Sequence, residues 1–162
     1  MPDVHDAATR SRNMAAVRGK DTKPELLIRR GLHGLGFRYR LQAKDLPGRP
    51  DLVLPKHGAV IFIHGCFWHG HDCPLFRLPA TRPGFWKNKI AGNVKRDAKA
   101  LAALQALGWR TGTVWECALR GPARQETQAA LKSVADWIRS EDRSFGLTGS
   151  MARANVSPLV LS

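Results

Sequence analysis

The chain has 162 residues, 43% of them hydrophobic, a length and composition that suit one globular domain and exclude a disordered chain. No apolar run approaches the roughly 20 residues of a membrane span, and the N-terminus MPDVHDAATRSR lacks an apolar signal core, so we expect a cytoplasmic protein without a membrane partner. Lys and Arg number 26 against 13 Asp and Glu, and the resulting net charge of +13 points to a polyanion, nucleic acid before others, although charge alone confers salt-dependent affinity and no chemistry. The cysteines number 3, an odd count that argues against a disulfide framework and suits thiolates holding a metal in a reducing compartment.

Residues 1–20 carry Arg10, Arg12, Arg18 and Lys20 among small polar residues and read as a basic N-terminal arm. Thr22-Lys-Pro-Glu25 then opens a helix, with Thr22 as N-cap, Glu25 completing a capping box and Pro24 in the first turn. Leu26, Leu27, Leu32 and Leu35 supply its apolar face, and Gly34 and Gly36 end it. Phe37 to Gln42 alternates aromatic and basic residues as an edge strand does. Lys44 to Pro50 is a loop stiffened by its prolines, leading to Asp51.

Asp51-Leu-Val-Leu54, the turn Pro55-Lys-His-Gly58 and the apolar run Ala59 to His64 have the grammar of a β-hairpin. If Leu54 pairs near Ala59, antiparallel counting sets Asp51 opposite Phe62, within one register step. A carboxylate, a backbone carbonyl and room for waters then meet at the open end, which is what Mg²⁺ prefers. Cys66-Phe-Trp-His-Gly-His-Asp-Cys73 follows at once. Cys66, Cys73 and Cys117 with either His69 or His71 supply the four N/S ligands of a tetrahedral zinc site, and spacing leaves the choice of histidine open.

The Pro-punctuated stretch from Pro74 to Phe85 reads as a loop. Trp86 to Leu107 is the long helix, with Ile90, Val94, Leu101 and Leu104 on one stripe, bases on other faces and Gly108 at its close. Asp97 lies on the apolar stripe, where a carboxylate wants a partner. Trp109 to Trp115 is β-rich and delivers Cys117 near the histidine-rich loop. Pro122 to Ser140 is an amphipathic helix burying Leu131, Val134, Trp137 and Ile138, and from Glu141 no period emerges. The expected divisions are therefore an arm at 1–20, a catalytic domain at 21–140 and a tail at 141–162.

PGRPD, IFIHGCFWH, ATRPGFWKNKI, Asn93 with Arg96-Asp97, and GWRTGTVWECALRG together resemble the very short patch repair (Vsr) endonucleases, from about Val4 to Gly121. The resemblance implies an α/β fold of the restriction-endonuclease type, a mixed β-sheet flanked by helices with a structural zinc site. It implies Mg²⁺ held by Asp51 and the Ile63 backbone carbonyl, His69 as general base, His64 and Glu25 as supporting catalytic groups, and Asp97 accepting a hydrogen bond from His64. Structural Zn²⁺ would sit on Cys66, His71, Cys73 and Cys117. Phe67, Trp68 and Trp86 would enter the base stack beside a mispair, with Lys87, Lys89, Asn93 and Arg96 on the DNA.

The activity so implied is nicking of one strand of duplex DNA 5′ to the thymine of a T·G mismatch left by deamination of 5-methylcytosine. A cytosine-5 DNA methyltransferase is the expected companion, mismatch-repair proteins are candidate assistants, and a bacterial monomer is expected. Two rival readings are a restriction-type nuclease of the same fold without mismatch specificity and a zinc-stabilised DNA-binding module without catalysis.

Overall fold

The computed structural model describes residues 22–149, so the expected basic arm and most of the expected tail lie outside the described residues. Helix α1 (Lys23–Gly34) is followed by strands β1 (Arg40–Leu41), β2 (Leu52–Leu54) and β3 (Ala59–His64), helix α2 (Pro83–Ala106), strand β4 (Arg110–Trp115), helix α3 (Thr127–Arg139) and strand β5 (Ser144–Leu147). The five strands form one mixed sheet in the order β1-β2-β3-β4-β5. The first two pairings are antiparallel and the last two parallel.

Alternation along the strands makes the layers. Leu52, Leu54, Ala59, Ile61 and Val114 face a core closed by Ile28 and Leu32 of α1 and by Leu131, Val134, Trp137 and Ile138 of α3. Val53, Val60 and Phe62 point the other way, where Leu104 and Leu101 of α2 cover them. The sheet is thus sandwiched between helices on both faces. By the same alternation, His64 leaves the end of β3 on the α2 side while Ile63 packs on the other.

The β2–β3 hairpin has the expected register, with Leu54 opposite Ala59 and Leu52 opposite Ile61. Its turn is a short 3-10 segment (Pro55–His57) closed by Gly58 at φ 61°, a left-handed conformation that glycine adopts without a Cβ clash. Thr22 caps α1, accepting from the Glu25 backbone N–H at 3.4 Å. The buried side of α1 is Glu25, Ile28 and Leu32, whereas Leu35, expected on the apolar face, is the C-cap and is 47% exposed. The reason is the turn at Gly36, which ends the helix before Leu35 can point inward.

Several boundaries differ from the sequence reading. The edge strand expected over Phe37 to Gln42 is confined to Arg40–Leu41. α2 begins at Pro83, because proline is well suited to a first helical turn. α3 begins only at Thr127, with the Glu126 carboxylate accepting from the Ala129 N–H at 2.7 Å as its cap. The stretch past Glu141, expected to lack regular structure, contains β5. Four residues are too few to show a period, and this strand is held by main-chain pairing with β4, by Phe145 stacked on Trp137 and by the buried Leu147.

Arg110 fastens this end of the molecule. Its guanidinium donates to the carbonyls of His57 (2.9 Å), Ile138 (2.8 Å), Trp137 (3.2 Å) and Asp142 (3.2 Å), joining the hairpin turn, the C-terminus of α3 and the approach to β5. Charge-assisted bonds to carbonyls at a helix end and in the adjoining turns are worth about 2–3 kcal/mol together when partly exposed. Arg110→Ala is therefore expected to lower the thermal midpoint by roughly 5–10 °C, read by circular dichroism, with Arg110→Lys recovering little of it.

Candidate active site and metal centre

The open ends of β2 and β3, the N-terminus of α1 and the middle of α2 enclose a cleft of about 930 Å³. Glu25, Asp51, Ile63, His64, Phe67, Trp68, His69, Lys89, Asn93, Arg96 and Asp97 all line it. Trp86 and Lys87 lie beyond that lining, Trp86 packed against Phe67 and Trp68 at 5.6 and 5.9 Å between ring centres.

Asp51 stands just before β2, and its Oδ2 accepts the Ile63 N–H across the hairpin at 2.7 Å, as the register requires. Burial pushes its carboxyl up to about 6; the Ile63 bond opposes that, the nearby Glu25 charge adds to it, and His69 lowers it again. Glu25 is only 3% exposed, and its Oε1 accepts from the Gln42 side-chain amide at 2.6 Å, with Arg29 Nη1 3.9 Å from the same oxygen. Two acidic groups thus share a poorly solvated corner, an arrangement that a divalent cation relieves.

Asp97 pairs with His69, not with His64 as the family resemblance implies. His69 Nδ1 lies 2.6 Å from Asp97 Oδ2, both side chains about a quarter exposed. The turn from Gly65 to Gly70 folds the chain back over the end of β3, so that the His69 ring stacks flat on the His64 ring, 3.7 Å between centres and 3° between planes. His69 thereby comes between His64 and α2. A Cβ at Gly70, whose φ is +64°, would lie 3.0 Å from Ile90 and 3.1 Å from Val94, so this turn rests directly on the helix that carries Asp97. With Asp97 ionised, Nδ1 carries the hydrogen and Nε2 is left as the ring's proton acceptor. His64 is buried, its Nδ1 has no hydrogen-bond partner among the described residues, and burial followed by the neighbouring His69 holds its pKa well below the ordinary histidine value.

A second cluster adjoins the first. The ligand atoms of Cys66, His71, Cys73 and Cys117 lie within 4.8 Å of one another, so His71 is the histidine that the fold brings to the three sulfurs, while His69 faces Asp97. Cys117 is held by Cys66, whose Sγ accepts its N–H at 3.4 Å, and Cys117 Sγ lies 3.6 Å from His71 Nδ1 and accepts the Gly149 N–H at 3.3 Å. The hydrogen bond with Cys66, then those with His71 and Gly149, draw the Cys117 thiol down toward thiolate, while the same bond and burial push Cys66 up. Three sulfurs and one imidazole, with three of the four residues buried, form a donor set compatible with a four-ligand structural metal. The Trp115 ring stacks on His71 at 4.2 Å and meets His64 edge-on at 5.3 Å, so one indole joins the two clusters.

Phe67, Trp68 and Trp86 form an edge-to-face aromatic group, extended by Phe85, which is 46% exposed beneath Arg82. Asn93 donates to the Trp68 carbonyl at 2.9 Å, and Arg96 in turn donates to Asn93. Sequence reasoning passed over Gln42, Trp115 and Glu116. Glu116 also lines the cleft, accepting the Cys66 N–H at 3.2 Å and an Arg120 bond at 2.8 Å. Only the segment WEC beside the third cysteine hinted at the last two; Gln42 carried no signal.

Among the described residues no helix is long and apolar enough to cross a membrane. The family model described as DNA mismatch endonuclease Vsr matches residues 2–75. DNA mismatch endonuclease Vsr of Escherichia coli (strain K12) is 49% identical over 144 residues, 89% of this chain and 92% of the relative. Type II nicking enzyme V.XorIIP of Xanthomonas oryzae pv. oryzae is 47% identical over 123 residues, 76% of this chain and 89% of its own length. Type II nicking enzyme V.NmeAIP of Neisseria meningitidis serogroup A is 40% identical over 140 residues, 85% and 100% of the two chains.

Proposed function

We propose, given that the chain belongs to the Vsr family of DNA mismatch endonucleases, that it nicks one strand of duplex DNA 5′ to the thymine of a T·G mismatch left by 5-methylcytosine deamination. A DNA endonuclease is what the family makes it; the mismatch, the metal and the residue roles are the further reading. One observation carries that reading: a His69–Asp97 pair at 2.6 Å opens into the same cleft as the Asp51 and Glu25 carboxylates.

Phosphodiester hydrolysis needs a proton acceptor for water, neutralisation at the scissile phosphate and a proton for the leaving oxygen. His69 takes the proton at Nε2, and Asp97 at Nδ1 keeps that tautomer and steadies the imidazolium that results. Stacked His64 fixes the ring plane of His69. Asp51, with Glu25 beside it and the Ile63 backbone carbonyl as a further ligand, would hold Mg²⁺, which would supply charge stabilisation at the phosphate and acidify a bound water. Lys87, Lys89, Asn93 and Arg96 meet the DNA along α2, and Phe67, Trp68 and Trp86 wedge into a step already weakened by a mispair.

Zn²⁺ on Cys66, His71, Cys73 and Cys117 is structural, because four protein ligands leave no position for a reacting water. The mixed sheet with its acidic open end is read as the restriction-endonuclease type, spanning a catalytic domain near 21–140 after a basic arm at 1–20. Membership of the family also implies a monomer in the bacterial cytoplasm, working beside a cytosine-5 DNA methyltransferase and open to help from mismatch-repair proteins.

The test uses matched and T·G duplexes labelled on each strand, with and without Mg²⁺. The expected product is a single cut in the thymine strand of the mismatched duplex only, dependent on Mg²⁺. Cleavage of both strands of the matched duplex would identify a restriction-type nuclease, and binding without a Mg²⁺-dependent product a non-catalytic module.

A further inference from the structure

Two features meet at Gln42, the residue that follows the short edge strand β1. Its side-chain Nε2 donates to Glu25 Oε1 at 2.6 Å, and its backbone N–H donates to the Asp51 carbonyl at 3.1 Å. It does both from a left-handed backbone, φ 51°, which a non-glycine side chain adopts only against steric cost. Gln42 holds both acidic residues from outside the residues that line the cleft. Strained backbone held in place by surrounding structure concentrates where geometry matters for function. Here the strain turns the chain out of β1 so that one residue reaches across to α1 and to the approach to β2 at once.

We infer that Gln42 is a positioning residue for the cation site, its amide aiming the Glu25 carboxylate at the ion that Asp51 holds while its main chain fixes the backbone on which Asp51 stands. The inference rests on the Mg²⁺ reading of the Asp51–Glu25 pair. Its physical content is a competition for one oxygen. Glu25 Oε1 has the Gln42 amide at 2.6 Å on one side and Arg29 Nη1 at 3.9 Å, one helical turn along α1, on the other. With the amide gone, the Arg29 guanidinium, one helical turn along α1, pulls on the carboxylate unopposed by the amide. A divalent cation then meets one well-placed carboxylate where it had two, and its affinity falls.

Two substitutions separate the amide from the strain. Gln42→Gly removes the amide but relieves the left-handed backbone, which offsets part of the stability lost with the hydrogen bond. Gln42→Met keeps the length and the backbone cost but donates no hydrogen bond. The readouts are the Mg²⁺ concentration for half-maximal nicking of a T·G duplex and, without DNA, the rise in melting temperature produced by a fixed Mg²⁺ concentration. The expected result is a shift of the half-maximal concentration by on the order of tenfold upward in both variants, with a smaller Mg²⁺-induced rise in melting temperature. A purely structural Gln42 would lower the melting temperature and leave the Mg²⁺ dependence where it was. An unchanged Mg²⁺ midpoint in either variant, beside a wild type that needs Mg²⁺, overturns the role of Gln42 and leaves the cation site standing. A wild type whose nicking and melting temperature both ignore Mg²⁺ overturns the cation site and this inference with it.

Discussion

Asp51→Asn is expected to abolish nicking and, at neutral pH without divalent metal, to make the protein more stable than the wild type. Both effects come from the same buried carboxylate. Its pKa rises from the ordinary 3.8 to about 6, first because burial disfavours the charge and also because Glu25 is near, against the pull of the Ile63 N–H and of His69. A carboxyl whose folded pKa is raised stabilises the fold least when ionised. Its contribution is intact below pH 3.8, declines as pH climbs to about 6, and above that the ionised group costs roughly 2–3 kcal/mol. Asparagine removes the charge and keeps an oxygen to accept the Ile63 N–H now bonded to Oδ2 at 2.7 Å.

The gain in melting temperature of Asp51→Asn over wild type should therefore grow between pH 4 and 6 and level off above, amounting to several degrees. Mg²⁺ should erase the gap by stabilising the wild type alone. Nicking should fall at least about a thousandfold, since several kcal/mol of charge stabilisation at the phosphate leave with the ion. Calorimetric melts across pH and a strand-labelled cleavage assay measure the two halves. A variant that still nicks, or whose melting temperature tracks the wild type across that range, would remove Asp51 from the centre of the site.

The hairpin register was legible because it follows from two local signals, a Pro-Lys-His-Gly turn and apolar runs of fixed parity, and these bring Asp51 to Ile63 within one residue of counting. The sulfur cluster was legible for a different reason: only three cysteines exist, and a ligand set draws on few candidates. What sequence could not carry is the path of a tight turn in space. His64 and His69 are equally plausible partners for Asp97 on paper, and only the fold-back over Gly70 decides between them.

Gln42 was invisible for a related reason, since a polar residue following an edge strand looks like any solvated side chain until its left-handed backbone is seen. β5 escaped because its stability lies in main-chain pairing and in the Trp137–Phe145 stack, neither of which leaves a period in four residues. Local chemistry is therefore written in residue types, and the pairing of distant polar groups is written in turns.

Cys117→Ser is expected to strip the metal and unfold the neighbourhood together. Cys117 joins parts far apart in the chain: its N–H reaches Cys66 Sγ, its sulfur accepts from Gly149 just past β5, and His71 Nδ1 is 3.6 Å away. The loop between Cys73 and Pro83 has no helix or strand of its own and sits between the sulfur cluster and α2. With one ligand lost the cluster keeps three donors, and the binding free energy that a metal would contribute to the fold, on the order of several kcal/mol, goes with it. Metal content should fall from about one ion per chain toward zero, and the melting temperature by more than about 10 °C.

A chelator should do the same to the wild type and add little to the variant, because both remove one and the same interaction. If the cluster were only buried thiols, Cys117→Ser would cost about 1 kcal/mol and chelation nothing. The two proposed metal sites should also separate by their effect on DNA. Phe67 and Trp68 lie in the chain between Cys66 and His71, so loss of a sulfur-bound ion is expected to free the proposed aromatic wedge and to weaken mismatch binding with it. Asp51→Asn leaves that wedge packed against Trp86, so it should bind a T·G duplex and leave it uncut.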